Sequence, residues 1–231
     1  MARTRKRGPG GLLWALVKAA LALVLGFLLA CTLLLVAYRF VLPPATTVQV
    51  QRRVEAAVAG EPYEVRYRPV DAEGQDPDVR HAVVASEDSR FYTHGGFDWE
   101  EFRIAREDAE RTGRPMRGAS TITQQLVKNL FLTTHRSVVR KGLEVPLTLL
   151  AEWILGKDRI LTLYLNSAEW GPGVFGIEAA AAHHYGTGAD ALSREQAARL
   201  AAVLPAPLER RPQDMSRTAS RIQTRMRQMG W

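Results

Sequence analysis

Residues 12–37 form an apolar run broken by one charge, Lys18. A helix of about 20 residues already crosses the hydrocarbon core of a bilayer, so this run spans one with some tilt. Lys18 lies near enough to the start for its stem to snorkel back to the interface. Arg3, Arg5, Lys6 and Arg7 stand directly before the run, with Trp14 near one end and Tyr38, Arg39 and Phe40 at the other as interfacial anchors. Basic flanks stay cytoplasmic, which puts everything after Tyr38 on the outer side. A cleaved signal peptide has a shorter apolar core. Leu28-Leu29-Ala30-Cys31 has the look of a lipoprotein processing site, but the apolar run continues through Ala37. A single-pass anchor is expected.

The remaining length, out of 231 residues, allows one substantial core. Cys31 is the only cysteine and lies inside the apolar run, so the body has neither disulfide nor thiolate site. A net charge of +7 favours anionic partners, and the outward topology excludes nucleic acid among them. We divide the chain into a basic tail (1–11), an anchor (12–38), a stalk with the first elements of the body (39–75) and a mainly α body (76–231). Pro43-Pro44 closes the span. No GxGxxG, Walker, CxxC or HExxH pattern occurs.

Four segments of the body stand out. In the first, Asp78 is placed to cap a helix whose face carries Val79, Ala82, Val83 and Ser86. Glu87 falls at the edge of that face with Asp88 beside it. A carboxylate against apolar neighbours tends to a raised pKa, which suits a general base, although two exposed charges at a helix end are the commoner case. In the second, Thr121 and Gln124 fit a capping box starting a helix at Ile122, with Ile122, Leu126 and Leu130 inward. Gln124, Gln125 and Lys128 share another face beside the Gly118-Ala119-Ser120 loop, a plausible cradle for phosphate and sugar hydroxyls. A solvated face is the alternative, though Glu and Lys are more usual there. In the third, Arg140, Lys141 and Glu144 meet on one helix face, as ordinary surface ion pairs also do; Pro146 is expected to kink or end that helix. The fourth, from Lys157 through Asn166 and on to Ala181, reads as scaffold, with Ile160, Leu161, Tyr164 and Leu165 on one stripe.

In this order the segments resemble the glycosyltransferases that polymerise peptidoglycan, found as a domain of bifunctional penicillin-binding proteins and as monofunctional transglycosylases. Residues 87–95 match EDxxFxxHxG, residues 118–129 match GxSTxTQQxxKN, and Arg140 to Glu144 match RKxxE. The fourth is similar to KxxILxxYLN, with Arg159 where many members have Glu, and His184 stands where Tyr is expected. No transpeptidase domain follows, so the monofunctional type is implied. The resemblance implies a lysozyme-like helical domain with a small membrane-proximal lobe. It implies that Glu87 deprotonates the acceptor 4-hydroxyl of lipid II, which attacks the anomeric carbon of the growing strand with inversion and releases undecaprenyl pyrophosphate. Lys128 and Arg140 would stabilise the leaving pyrophosphate. Glu144 would be a second essential carboxylate, orienting Arg140 and Lys141 or a substrate or metal near the phosphates. Ser120, Thr121, Gln124 and Gln125 would line the sugar and phosphate sites, and Asp88, Phe91 and His94 would shape the pocket.

No cofactor is required by the sequence; magnesium or manganese at the pyrophosphate is compatible with the resemblance, but no ligand cluster demands it. Expected partners are lipid II, the growing strand and membrane lipids, with penicillin-binding proteins and division or elongation proteins as candidates. Two rivals are a lytic enzyme, which needs neither Lys128 and Arg140 nor an anchor, and an inactive membrane scaffold, against which the intact set Glu87, Lys128, Arg140 and Glu144 argues. A zinc site at His81, Glu87 and His94 lacks ligand spacing, and His183 and His184 read as packing or surface residues. Arg217, Arg221 and Arg225 make a basic stripe on a C-terminal amphipathic helix, facing either membrane phosphates or solvent.

Overall fold

The computed structural model describes residues 9–116, 118–135 and 137–231. The basic cluster at Arg3, Arg5, Lys6 and Arg7 lies outside the described residues. Ten α-helices are described: α1 (Pro9–Tyr38), α2 (Thr47–Ala59), α3 (Pro77–Glu87), α4 (Trp99–Thr112), α5 (Ile122–Phe131), α6 (Val138–Leu155), α7 (Lys157–Ser167), α8 (Ile177–Tyr185), α9 (Arg194–Ala201) and α10 (Ser216–Gln228). Three short strands, β1 (Arg66–Tyr67), β2 (Glu169–Gly171) and β3 (Val174–Phe175), make a sheet in the order β1-β3-β2. β1 and β3 are parallel, while β2 and β3 are antiparallel. Strands this short carry no alternating pattern, and the sequence reading passed over them.

α7 is the hub. Its residues Ile160 through Ser167 are all buried, against α5, α6 and α8, so the helix is enclosed on every side rather than along one stripe. Ile160, Leu161, Leu163 and Leu165 each contribute about 2 kcal/mol of burial. Its one buried amide, Asn166, accepts from the Val70 N–H and donates to the Val70 and Thr162 carbonyls, all at 2.8 Å. That pairing fixes the irregular segment before α3, where no ladder would satisfy the backbone.

The stretch expected to hold a stalk and the first elements of the body contains α2, capped by Thr46 and closed by Gly60, and joined to the body where Arg52 meets Glu169 at 3.1 Å. Two local expectations change. α3 is capped by Asp76, not Asp78, with Pro77 at the first helical position, because proline has no N–H to satisfy and a φ already set for the helix. α6 runs through Pro146 without ending. The carbonyl that loses its bond belongs to Gly142, which is exposed and open to water.

α1 is long and apolar enough to cross a membrane: within Leu12–Tyr38 an 18-residue window has a mean hydropathy of 2.8, and few of its residues are buried. Trp14 and Phe40 are exposed as expected of interfacial anchors, but Tyr38 turns inward and stacks on Phe131 at 6.4 Å.

Candidate active site

Two of the sequence segments are welded by a buried carboxylate. Asp88, just past the end of α3, accepts the N–H of Ile122 at 3.0 Å, the first of α5, where a negative charge also complements the helix dipole. Its other bond is with His94 Nε2 at 2.9 Å. The Gly96 N–H donates to His94 Nδ1, which puts the imidazole proton on Nε2 and makes it the donor to Asp88. The predicted capping box is present: Thr121 accepts the Gln124 N–H, and Gln124 accepts the Thr121 N–H. The Thr121 hydroxyl donates to the Gly96 carbonyl at 2.7 Å, so the loop after α3 and the start of α5 are held together.

This frame brings Glu87 against α5. Gln125 Nε2 donates to Glu87 Oε2 at 3.0 Å, and the Tyr164 hydroxyl donates to Gln125 Oε1 at 2.9 Å. Burial raises the Glu87 pKa, against the opposing pull of the Gln125 bond, the Lys128 charge, the Ser86 hydroxyl and Arg210. One helical turn along α5, burial lowers the Lys128 pKa; Glu144 and Glu87 pull it up, while Arg140 and Lys141 push it down. Lys128 therefore stands electrically between Glu87 and the cluster on α6.

In that cluster Glu144 is 2% exposed and bonds both Arg140 and Lys141, the latter at 3.0 Å. Arg140 Nε is buried with no hydrogen-bond partner among the described residues. Lys128, which acts on the charges of both Glu87 and the Arg140 cluster, likewise shows no hydrogen bond among the described residues. A buried donor of that kind is costly unless something accepts from it. These are not ordinary surface ion pairs.

The predicted residues near these clefts separate into three groups. Glu87, Asp88, Ser120 and Thr121 line one cleft of about 100 Å³. Ser120, Gln124 and Lys141 line an adjoining pocket of about 270 Å³ whose other walls include Phe97, Trp99, Phe102, Met116 and Val145. Phe91 and His94 touch neither cleft. Phe91 is fully buried, with Lys157 Nζ 4.5 Å over its ring, and His94 supports Asp88 from within. Both stand behind the walls of these clefts.

Three contributors escaped the sequence reading. Tyr164, read as scaffold, reaches the site through Gln125. Arg210 lies close enough to act on the Glu87 charge. Arg225, an exposed residue, lines the Glu87 cleft and donates to the Ala85 carbonyl at 2.9 Å. The i,i+4 spacing of the arginines was visible, but not the docking of α10 on α3 and α9 that brings Arg225 to the rim of that cleft.

The groups around Lys128 do not fit a protein-held divalent cation. They are cationic apart from two carboxylates: Glu144, whose two oxygens are taken by Arg140 and Lys141, and Glu87, which accepts from Gln125. Asp88, His94 and Asp98 place one ligand atom each within 4.8 Å of one another. His94 has both ring nitrogens engaged there, and Asp98 is held by Arg90 at 2.8 Å and by the Glu101 N–H at 2.8 Å.

The chain matches the family model described as transglycosylase over residues 54–230. It is 46% identical over 198 residues to a biosynthetic peptidoglycan transglycosylase of Pseudomonas putida, covering 86% of this chain and 84% of that one. A protein of the same description from Chromohalobacter salexigens is 47% identical over 90% of both chains. A third, from Pseudomonas aeruginosa, is 49% identical over 80% of both. With more than half its length matched, and with relatives this similar along most of it, the chain belongs to the transglycosylase family.

Proposed function

We propose a mechanism for the glycan-strand polymerisation that this membership assigns to the chain, a peptidoglycan glycosyltransferase acting on lipid II and the growing strand. Glu87 takes the proton from the acceptor 4-hydroxyl as that oxygen bonds to the anomeric carbon of the donor. The bond from that carbon to the phosphate oxygen breaks, the configuration inverts, and undecaprenyl pyrophosphate leaves. A carboxylate with a raised pKa is a better base near neutral pH than an ordinary one. Gln125, steadied by Tyr164, fixes its orientation. Lys128 and Arg140 receive the negative charge that develops on the pyrophosphate, and Glu144 keeps Arg140 and Lys141 in place for it.

The observation that carries this reading is a desolvated base, Glu87, electrically coupled to Lys128, a cation without a hydrogen bond among the described residues that is coupled in turn to Arg140 with its uncommitted Nε. A hydrolytic enzyme needs the first feature and not the second. In this reading α1 is a single-pass anchor in the bacterial cytoplasmic membrane, its N-terminus inside and the catalytic domain in the periplasm. Trp99, Phe102, Val138, Val139 and Trp153 are all exposed, with Val138 at 89% and Trp153 at 84%. These apolar groups suit a lobe that dips into the outer leaflet, where the lipid tail of the substrate is confined.

The test is labelled lipid II in vesicles with purified full-length protein. The expected products are long glycan strands and undecaprenyl pyrophosphate. Shortening of preformed strands would favour the lytic reading, and binding without turnover the scaffold.

A further inference from the structure

α1 is exposed along most of its length but not all round. Cys31 and Leu35 are 3% and 0% exposed, and Phe27, Leu28 and Tyr38 pack partly against the same core. The spacing is that of one helical stripe, and it faces α6. The joint continues in polar contacts at the end of the helix. Arg159, in the first turn of α7, donates from Nε to the Tyr38 carbonyl and from Nη2 to the Val41 carbonyl, both at 2.7 Å. In return Arg39 donates from Nη1 to the Ile154 carbonyl at 3.2 Å, near the end of α6. Farther on, the Tyr67 hydroxyl donates to the Pro43 carbonyl at 2.6 Å.

Arginine is a poor choice for the first turn of a helix taken alone. The N-terminal end carries partial positive charge, and an acidic residue is favoured there. Glutamate at this position would suit α7, but it has no donor and could bond neither carbonyl. The guanidinium instead sits at the C-terminal end of α1, where a cation is stabilised and the last carbonyls lack helical partners. α7 gives up a favourable charge so that α1 can be fastened.

We propose that Arg159 is a positioning residue that locks the membrane helix to the catalytic domain, so that the cleft is held at a fixed height and orientation over the bilayer. The proposal rests on α1 being a membrane anchor. With the joint rigid, an anchor-defined membrane plane is also defined relative to Glu87 and Lys128. A lipid-linked substrate then arrives with its pyrophosphate at the level of the site. Without the clamp the domain tilts on residues 39–44, and the substrate, whose depth is set by its own tail, meets a misplaced cleft.

The experiment compares wild type, Arg159→Glu and Arg159→Lys as full chains on two substrates. One is long-chain lipid II embedded in phosphatidylethanolamine–phosphatidylglycerol vesicles; the other is a short-chain, water-soluble lipid II analogue. On vesicles Arg159→Glu should lose about tenfold or more in rate, the scale expected when reacting groups are misplaced. Arg159→Lys, which keeps the charge but not the two-pronged bond, should fall between. On the soluble analogue all three should agree within about twofold, because no bilayer fixes its depth. Equal rates on vesicles would overturn the proposal. So would an equal loss on both substrates, which would make Arg159 a support of the fold alone. Vesicle flotation is read first: failure of the wild type to float would refute the anchor itself, and the clamp with it.

Discussion

Replacing Glu144 with Gln removes the one negative charge from the α6 cluster while keeping the side-chain size. Glu144 is 2% exposed and bonds Arg140 and Lys141 together. Breaking a buried pair by removing one partner costs about 3–5 kcal/mol. Lys141 is half exposed and can turn to water, whereas the Arg140 side chain is only 16% exposed and keeps most of the loss. The lower end, about 3 kcal/mol, therefore applies. In a chain of this size each kcal/mol moves Tm by about 2–4 °C, so the melt should fall by about 6–12 °C. The second effect falls on Lys128. Burial already holds its pKa below the ordinary lysine range, and Glu144 is the strongest charge opposing that. Without Glu144 the ammonium loses its proton at still lower pH, and the alkaline limb of the polymerisation rate moves down with it. A circular-dichroism melt in detergent and a pH–rate profile of the same sample read both effects. A Tm within about 2 °C of wild type, or an alkaline limb moved to higher pH, would refute the reasoning.

Three other outcomes are expected. In the wild type, kcat/KM should trace a bell against pH: it rises as Glu87 loses its proton, above the usual carboxylate range, and falls as Lys128 loses its own, below the usual lysine range. An acid limb at the ordinary carboxylate position would show that the titrating base is not this buried group. Tyr164→Phe removes the hydroxyl that steadies Gln125 and should lower kcat by about fivefold, the equivalent of about 1 kcal/mol, with KM little changed in steady-state kinetics. Gly96→Ala should cost about 2 kcal/mol or more in denaturant unfolding. Gly96 has φ +94°, and an added Cβ would lie 2.8 Å from Thr148 Cγ2 and 3.1 Å from Glu152 Cγ.

What could be read from the sequence was set by how local its cause is. The α5 capping box needs only Thr121 and Gln124, three residues apart, and it stands as read. The long apolar run needs only its composition. Asp88 was visible as an acid beside Glu87, but its task is to hold the start of α5, thirty-four residues away, and spacing carries no trace of that. Arg159 showed only as a departure from a motif, because its partners, the Tyr38 and Val41 carbonyls and the Asp71 carboxylate, all lie far earlier in the chain. The cluster of Arg140, Lys141 and Glu144 was seen as a helix-face trio, but its burial, which separates a reactive site from a surface ion pair, is a tertiary property. Arg210 and Arg225 belong to the same class, brought to Glu87 by the packing of the C-terminal segments.

The most direct test of Glu87 as the desolvated base is the rate of glycan bond formation by Glu87→Gln beside wild type, with the melt of each recorded at the same alkaline pH. A raised pKa means that the folded chain favours the protonated carboxyl; this contribution to stability is present at low pH and lost as pH rises through the folded pKa. Glutamine stays neutral throughout, so the variant should melt no lower than wild type. Its rate should nevertheless fall by about 10²–10⁴-fold, the share a positioned base supplies. A variant that polymerises within about tenfold of wild type would contradict the assignment of Glu87 as the base.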